Sequence, residues 1–348
     1  MEHLSEKISS VGFDLFQSGE NAAAIRVFRN EMIRVPEASG IWRTMVKLCQ
    51  ERIREKTQGR GVNPQSSRKG GSKDNPALTV TLTTISSRLD HLPAVISSLE
   101  NQTRSPSKIV LNISQAPHLL DHGISPGHPL LRKFQSSSLV HVNWVDNSGP
   151  YRKLMPLLRR HVAHRFSEEE LFVTVDDDTL YPEDFLDKLF AEYKKHDCVV
   201  AFRGRLMCLA EDSGFRPYRE WGPGLPTTNM LNLATGKDGV IYSSRFFTPE
   251  VADLDAAIRI APTADDLWWK WHTAMNGVPT VILNPEACTS DYKGFPVVDY
   301  SKEYRSNSLY AIHNSGEARG GNDAAVSALE SRFLGLYGLT LADFISFC

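Results

Sequence analysis

The sequence has no long apolar run. No stretch approaches the roughly 18–20 apolar residues needed to cross a bilayer. The most apolar tail, Phe333 to Phe347, is broken by Gly335, Gly338 and Asp343 and reads as a packing helix. At the start, MEHLSEKISS has neither a basic nor an apolar region, so no secretory signal is expected. Cysteine is sparse. The five present (Cys49, Cys198, Cys208, Cys288, Cys348) form no CxxC pair, which argues for reduced thiols over a disulfide framework or a zinc site. An excess of one charge is also missing. With 39 Lys+Arg against 41 Asp+Glu the formal net charge is -2, so nothing pulls the chain generally toward nucleic acid and any anion site must be local. The expectation is a cytoplasmic protein without a transmembrane segment, at most peripheral at the inner face of a membrane.

What is present suits an enzyme core with a smaller module, since single cores tend to split beyond about 250–300 residues and the chain has 348. Residues 1–56 read as helical. Ile8, Val11, Leu15 and Phe16 recur at helical spacing, and after Gly19 so do Ala24, Val27, Phe28 and Met32. Gly12, Gly19, Ala24, Phe28 and Pro36 fall where a tetratricopeptide-like repeat carries its small, aromatic and proline residues, which allows a protein partner through these helices. A helical hairpin capping the larger domain explains the same residues. Residues 57–76 (TQGRGVNPQSSRKGGSKDNP) hold almost nothing apolar and read as a flexible linker.

From residue 77 to 348 strand and helix signals alternate. Leu78, Val80 and Leu82 alternate with threonines, a strand pattern. Leu92, Ile96 and Leu99 mark a helix, with Asp90 expected as N-cap and Pro93 in the first turn. Further strands are expected at Lys108–Ile113, Leu139–Val145, Leu171–Val175 and Cys198–Phe202, with helices over Met155–Val162 and around Phe185–Phe190. Strands separated by such helices predict an α/β, doubly wound, mainly parallel sheet flanked by helices. Ligands then sit at the carboxyl ends of the strands.

Asp176, Asp177 and Asp178 follow directly on the uncharged run Leu171–Val175. Adjacent carboxylates repel one another, and a cation offsets that cost. Side chains at i and i+2 of an extended segment share a direction, so Asp176 and Asp178 are candidate ligands of one Mg²⁺ or Mn²⁺, ions that favour oxygen and share their shell with phosphates. Asp177 then points away, toward a nucleotide or the scaffold. The alternative is that the acids only cap the next helix. The Gly149-Pro150 turn opens backbone N–H groups, with Arg152 and Lys153 adding positive charge suited to a diphosphate; a solvated basic face is the plainer meaning. Thr83 and Arg88, at and just past the first strand, are candidates for donor contact. Asp265 and Asp266 precede Leu267-Trp268-Trp269-Lys270-Trp271. Acids at a helix start can be plain dipole compensation, or one can act as a general base. Trp268 and Trp269 are candidates for stacking on a sugar acceptor, although the three tryptophans cannot all face one way. Gly239 is either a hairpin glycine or a point of close backbone approach to the donor. His313 is either structural or a further metal ligand.

These motifs have a recognisable order. TVTLTTISSRLDHLPAVISSLENQT resembles the opening strand and helix of GT-A-fold glycosyltransferases of the family 2-like group. DNSGPYRKLMPLL and LFVTVDDDTLYPEDFLDKL resemble the Gly-Pro…Lys-Leu and DxD segments of a bacterial branch of that group. DGVIYSSRFF is similar to its glycine loop, and TADDLWWKWHTAMNGVP to its acidic acceptor-side motif. The resemblance spans residues 78–315. It implies a nucleotide-sugar donor held through its diphosphate by a divalent metal, and a glycan or lipid-linked acceptor in surface polysaccharide synthesis. Residue by residue, it implies Asp176 at the ribose or metal, Asp178 and His313 at the metal, Lys153 at the phosphates and Asp266 as base. The acidic pair is Asp-Asp where the family has Glu-Asp, and Ser86-Ser87 replaces a longer donor-binding segment.

Other classes fit less well. An aspartyl phosphohydrolase carries its acids on the first strand, and a nucleotidyltransferase needs a glycine-rich basic loop where this chain has Thr83-Thr84-Ile85-Ser86-Ser87-Arg88. The remaining alternative is a non-catalytic interaction protein whose nucleotide-binding domain has degenerated.

Overall fold

A computed structural model describes residues 24, 27–28, 77–164, 169–211, 214–288, 294–299, 301, 321–338 and 340–346. Apart from Ala24, Val27 and Phe28, the expectations for residues 1–76 lie outside the described residues, as does His313. The chain divides into two compact units. One comprises Met1–Lys69, Glu211–Gly214 and Leu329–Cys348, the other Gly70–Ala210 and Phe215–Ala328.

In the larger unit, strands β1 (Leu78–Thr83), β2 (Lys108–Ile113), β3 (Val140–Trp144) and β4 (Leu171–Thr174) alternate with helices α1 (Leu92–Glu100), α2 (Pro129–Gln135) and α3 (Met155–Ala163). Helix α4 (Phe185–His196), β5 (Val199–Ala201) and a small antiparallel sheet of β6 (Gly204–Leu206), β7 (Gly222–Pro223) and β8 (Asn232–Ala234) follow. Then come β9 (Val240–Ser243), α5 (Leu254–Ile260), α6 (Asp265–Met275) and β10 (Thr280–Ile282). The main sheet has the order β10-β5-β9-β4-β1-β2-β3. All its pairings are parallel except those of β9, which runs antiparallel between β4 and β5. This is the α/β, doubly wound, mainly parallel architecture expected from the sequence. Helix α7 (Gly321–Tyr337) and α8 (Leu341–Ser346) close the described chain, and the Glu330 carboxylate accepts from Leu341 N and Ala342 N at the start of α8. Among the described residues no helix is long and apolar enough to cross a membrane.

The alternation in β1 has a different cause from the usual apolar-in, polar-out pattern. β1 lies inside the sheet with both faces covered, so Thr79 and Thr81 are buried with the leucines and valine. Buried hydroxyls need partners, and here they form a ladder. Asn143 donates to Asn112 Oδ1 (2.8 Å), Asn112 donates to Thr81 Oγ1 (3.1 Å), and Thr81 donates to the carbonyl of Lys153 (2.6 Å). The polar residues of three strands thereby fix the backbone at Lys153.

The helix starts differ in one detail. Asp90 lies within a 3₁₀ turn, Ser86–His91, and caps nothing; His91 stands at the entry to α1, with Pro93 in its first turn as expected. A turn continuous with the helix leaves no extended residue for Asp90 to occupy as a cap. Helix α6 ends at Met275, and Gly277 adopts φ 76° just beyond it.

Candidate functional site

β1 and β4 are parallel neighbours, with Thr81 opposite Thr174, so the segments that follow them meet at one edge of the sheet. Asp176, Asp177 and Asp178 emerge there and take different partners. Asp176 Oδ1 lies 2.5 Å from Lys153 Nζ, and its amide donates to the Tyr181 hydroxyl at 2.8 Å. Asp177 turns inward and is only 6% exposed; it accepts from Thr84 Oγ1 (2.6 Å) and Arg88 Nη1 (3.2 Å). Asp178 accepts from the Thr179 hydroxyl (3.1 Å) and lies 3.8 Å from Arg88 Nη1. The residues past the run pair with the returning chain, Leu180 N donating to Pro296 O and Val298 N to Asp178 O. None of the three caps a helix: α4 begins at Phe185, and Asp184 precedes it.

Lys153 ends a 3₁₀ turn, Gly149–Lys153, that opens with Gly149 at φ 61°. Burial alone would lower its pKa, but the charges of Asp176 and Asp265 outweigh that and raise it, with Asp266 adding a smaller push. Asp265 and Asp266 come from the first turn of α6, where the helix dipole favours carboxylates. Asp266 Oδ2 accepts from Gly236 N at 3.0 Å, and Asp265 Oδ2 from the Trp269 indole at 3.3 Å. Burial and then the neighbouring Asp265 push the Asp266 carboxyl up to about 7. Burial raises Asp265 as well, with Lys153 and Trp269 opposing. The centre therefore gathers Asp176, Asp265 and Asp266 around one lysine.

Other sequence candidates are placed differently. The Thr83 hydroxyl donates to Asn112 O at 2.8 Å. Gly239 has φ 94°, and a Cβ there would lie 2.4 Å from the Phe185 ring, so its missing side chain admits a core aromatic. Trp268 and Trp269 are 0% and 2% exposed and Trp271 is buried, leaving no indole face open for an acceptor; Trp268 donates to Val251 O and Trp269 braces Asp265. Arg152, a candidate for phosphate contact, is instead buried against Asp121. Sequence reasoning missed Thr84, Asp121, Tyr181, Gly236 and Asp238. A Cβ on Gly236 would sit 3.1 Å from Asp266 Oδ1 and 3.4 Å from Lys153 Nζ, so this glycine lets backbone reach the centre. Asp238, buried at φ 66°, has its pKa raised by burial, with Lys237 opposing and Asp176 adding to the rise. The only sequence signal for these two was the turn motif Gly236-Lys237-Asp238-Gly239.

Among the described residues no three His, Cys, Asp or Glu side chains gather as a metal cage. Asp176 and Asp178 nonetheless keep 24% and 20% side-chain exposure. Mg²⁺ and Mn²⁺ are commonly held by one or two carboxylates, with water and substrate phosphate completing the shell. Two strand-end carboxylates fit that donor set. To one side, at the carboxyl ends of β2 and β3, lies a cavity of about 490 Å³ whose walls include Ser114, Trp144, Asp146, Met155, Arg159 and Leu254. None of the acids that follow β4 lines it.

No protein-family model matches the chain, and no curated protein matches it in sequence. Several solved structures are similar in fold. S. aureus TarS 1-349 shows 16% identity and a TM-score of 0.36, over 63% of this chain and 59% of that one, so this chain matches about three-fifths of its length. The mannosyltransferase PcManGT from Pyrobaculum calidifontis, in complex with GDP-Man and Mn2+, shows 13% identity and a TM-score of 0.37 over 97% of this chain and 90% of that one. A 4-diphosphocytidyl-2C-methyl-D-erythritol synthase shows 12% identity and a TM-score of 0.36 over 68% and 99%. Likeness of this degree concerns the general fold and assigns no activity.

Proposed function

We propose that the α/β unit is a glycosyltransferase that moves a sugar from a nucleotide-sugar donor to a hydroxyl of a glycan or lipid-linked acceptor. The observation that carries this reading is the charge centre at the strand ends, where Lys153 faces Asp176, Asp265 and Asp266 and the Asp266 carboxyl is pushed up to about 7. A general base works best with a pKa near the operating pH. Asp266 accepts the proton of the acceptor hydroxyl as that oxygen bonds to the anomeric carbon and the nucleoside diphosphate departs with the bonding electron pair. Asp265, held by Trp269, keeps its neighbour's pKa high. Lys153 and Arg88 supply positive charge for the diphosphate, and the neighbouring cavity, lined by Trp144, Met155 and Asp146, suits a nucleobase. Asp176 and Asp178 would hold Mg²⁺ or Mn²⁺, which when bound supplies charge neutralisation for the leaving diphosphate. Asp177 serves the scaffold, locking Arg88 and Thr84 in place.

A thermal-shift screen of UDP, GDP and CDP with Mn²⁺ tests this reading, because a ligand that binds only the folded state raises the melting temperature. At least one nucleotide should stabilise the wild type and fail to stabilise Asp178→Ala. If none shifts the wild type, with or without Mn²⁺, the enzyme reading is wrong.

A further inference from the structure

Three loops leave the carboxyl ends of β1, β2 and β3, and one buried ion pair ties them together. Asp121, in the loop after β2, is 2% exposed and Arg152, in the turn after β3, is 1% exposed. Their charges meet at 2.9 Å, an ionic contact rather than a well-aligned hydrogen bond. Asp121 Oδ1 accepts from Ser86 N in the first loop and from Gly123 N in its own, each at 3.0 Å. Its Oδ2 also accepts from Asn147 Nδ2 (3.2 Å), and that amide reaches Ala116 O at 2.6 Å. Arg152 donates to Thr84 O and to Gly149 O, each at 3.3 Å. Thr84 in turn holds Asp177, Asp177 holds Arg88, and Lys153 follows Arg152 in the chain.

Such a pair is expensive to bury, and apolar side chains of similar volume often hold a fold as well or better. Neither residue reaches solvent, so neither touches a ligand. Together, however, they are joined to the backbone of both loops that carry a donor-facing cation, Asp121 at Ser86 N and Arg152 at Thr84 O and Gly149 O.

We propose that the Asp121–Arg152 pair is the positioning device of the donor site, setting the loops after β1, β2 and β3 so that Arg88 and Lys153 stand at the separation a nucleoside diphosphate requires. The inference rests on the donor reading above. It predicts that stability and binding separate when the pair is made apolar. The double variant Asp121→Leu/Arg152→Met should fold with a melting temperature near the wild type. It should bind the nucleoside diphosphate selected from UDP, GDP and CDP with Mn²⁺ about tenfold or more weakly, as displaced anchoring groups typically cost. Amide exchange at Ser86 and Gly123 should accelerate while Val80 and Leu111 in the sheet keep their rates. As a control, Asp187→Asn, which breaks the pair with Arg104 at helix α4, should leave nucleotide binding unchanged. If the double variant does not fold, Asp121→Asn keeps the size and one acceptor and gives the same two readouts. Nucleotide binding at wild-type strength, or unchanged exchange at Ser86 and Gly123, overturns the proposal. A wild type that binds none of the three nucleotides overturns the donor reading instead, and exchange at the two amides still decides whether the pair holds the loops.

Discussion

Strand β4 carries acids at both ends, Glu169 and Glu170 before it and Asp176 to Asp178 after it, and the two groups are treated in opposite ways. At the amino end every charge is answered. Glu170 gathers Thr79 (2.5 Å), Lys108 (3.0 Å), Arg160 (2.9 Å) and His161 (2.8 Å), drawing the starts of β1, β2 and β4 and the end of α3 together. Burial alone would raise its pKa, yet His161, Thr79 and Lys108 outweigh burial and hold it well below the usual carboxylate range. Glu169 likewise accepts from Ser243, Tyr193 and Arg245, and Arg245 also reaches Asp197. At the carboxyl end the acids that follow β4 share the cations Lys153 and Arg88, and Asp265 and Asp266 crowd the same lysine with their pKa values raised. Saturated charges serve stability. Crowded ones are costly to fold and are what an acid–base site requires.

The sharpest break of this contrast is Asp266→Asn. Turnover of the nucleotide-sugar should fall about 10²–10⁴-fold, the usual worth of a general base, with the melting temperature unchanged or raised. Turnover at the wild-type level would remove Asp266 from the chemistry.

Glu170→Gln should do the reverse. Losing the charge-assisted bonds should cost about 2–3 kcal/mol of stability, seen as an earlier urea midpoint, while turnover per folded molecule is kept. Because the Glu170 pKa is depressed on folding, its contribution is present above the unfolded value of about 4.3 and is lost as pH falls below it. The variant should therefore lose less stability on acidification than the wild type. Equal acid sensitivity in the two proteins would contradict the saturated-hub account.

A second lysine sharpens the comparison from another side. Lys153 has three carboxylates. Lys270, on α6, is 3% exposed and its Nζ finds no hydrogen-bond partner among the described residues. Burial pushes its pKa down to about 7, with Cys198 opposing slightly. The unfolded chain thus binds more protons between pH 7 and about 10.4, so stability should rise with pH across that window. Lys270→Met should flatten the rise and add about 1–3 kcal/mol at pH 7, measured by chemical denaturation at several pH values. A variant less stable than the wild type at pH 7 would show that the amine has a partner.

The last test is a titration. The Asp266 pKa of about 7 should appear as a rise in kcat/KM through that pH. A carboxyl raised on folding also makes the folded state hold more protons between about pH 4 and 7, so stability should fall across that window and Asp266→Asn should remove the fall. A kcat/KM that is flat from pH 5.5 to 8.5 would exclude the base role.

Much of the framework could be read locally. Local sequence pattern placed β1, β2 and α3 within a residue or two, because each pattern lies within a single element. The site was legible in part, since Asp176, Lys153 and Asp266 do share one end of the sheet. Other residues could not be read in this way. The tryptophans after Asp266 looked like a sugar platform, but α6 is covered on every side and all three are buried. Asp121 sits in a loop with no periodic signal, and its value comes from Arg152, 31 residues on.

The amino-acid order alone determined that acids would lie at both ends of β4 and that the ends of β1 and β4 would share an edge, because a strand's length and the parallel crossover follow from local pattern. Only the tertiary structure decided which acids would be neutralised. Lys108, Arg160 and His161 approach Glu170, and Asp265 and Asp266 approach Lys153, through contacts between separate elements, and a carboxylate's pKa depends on those neighbours rather than on its place in the chain.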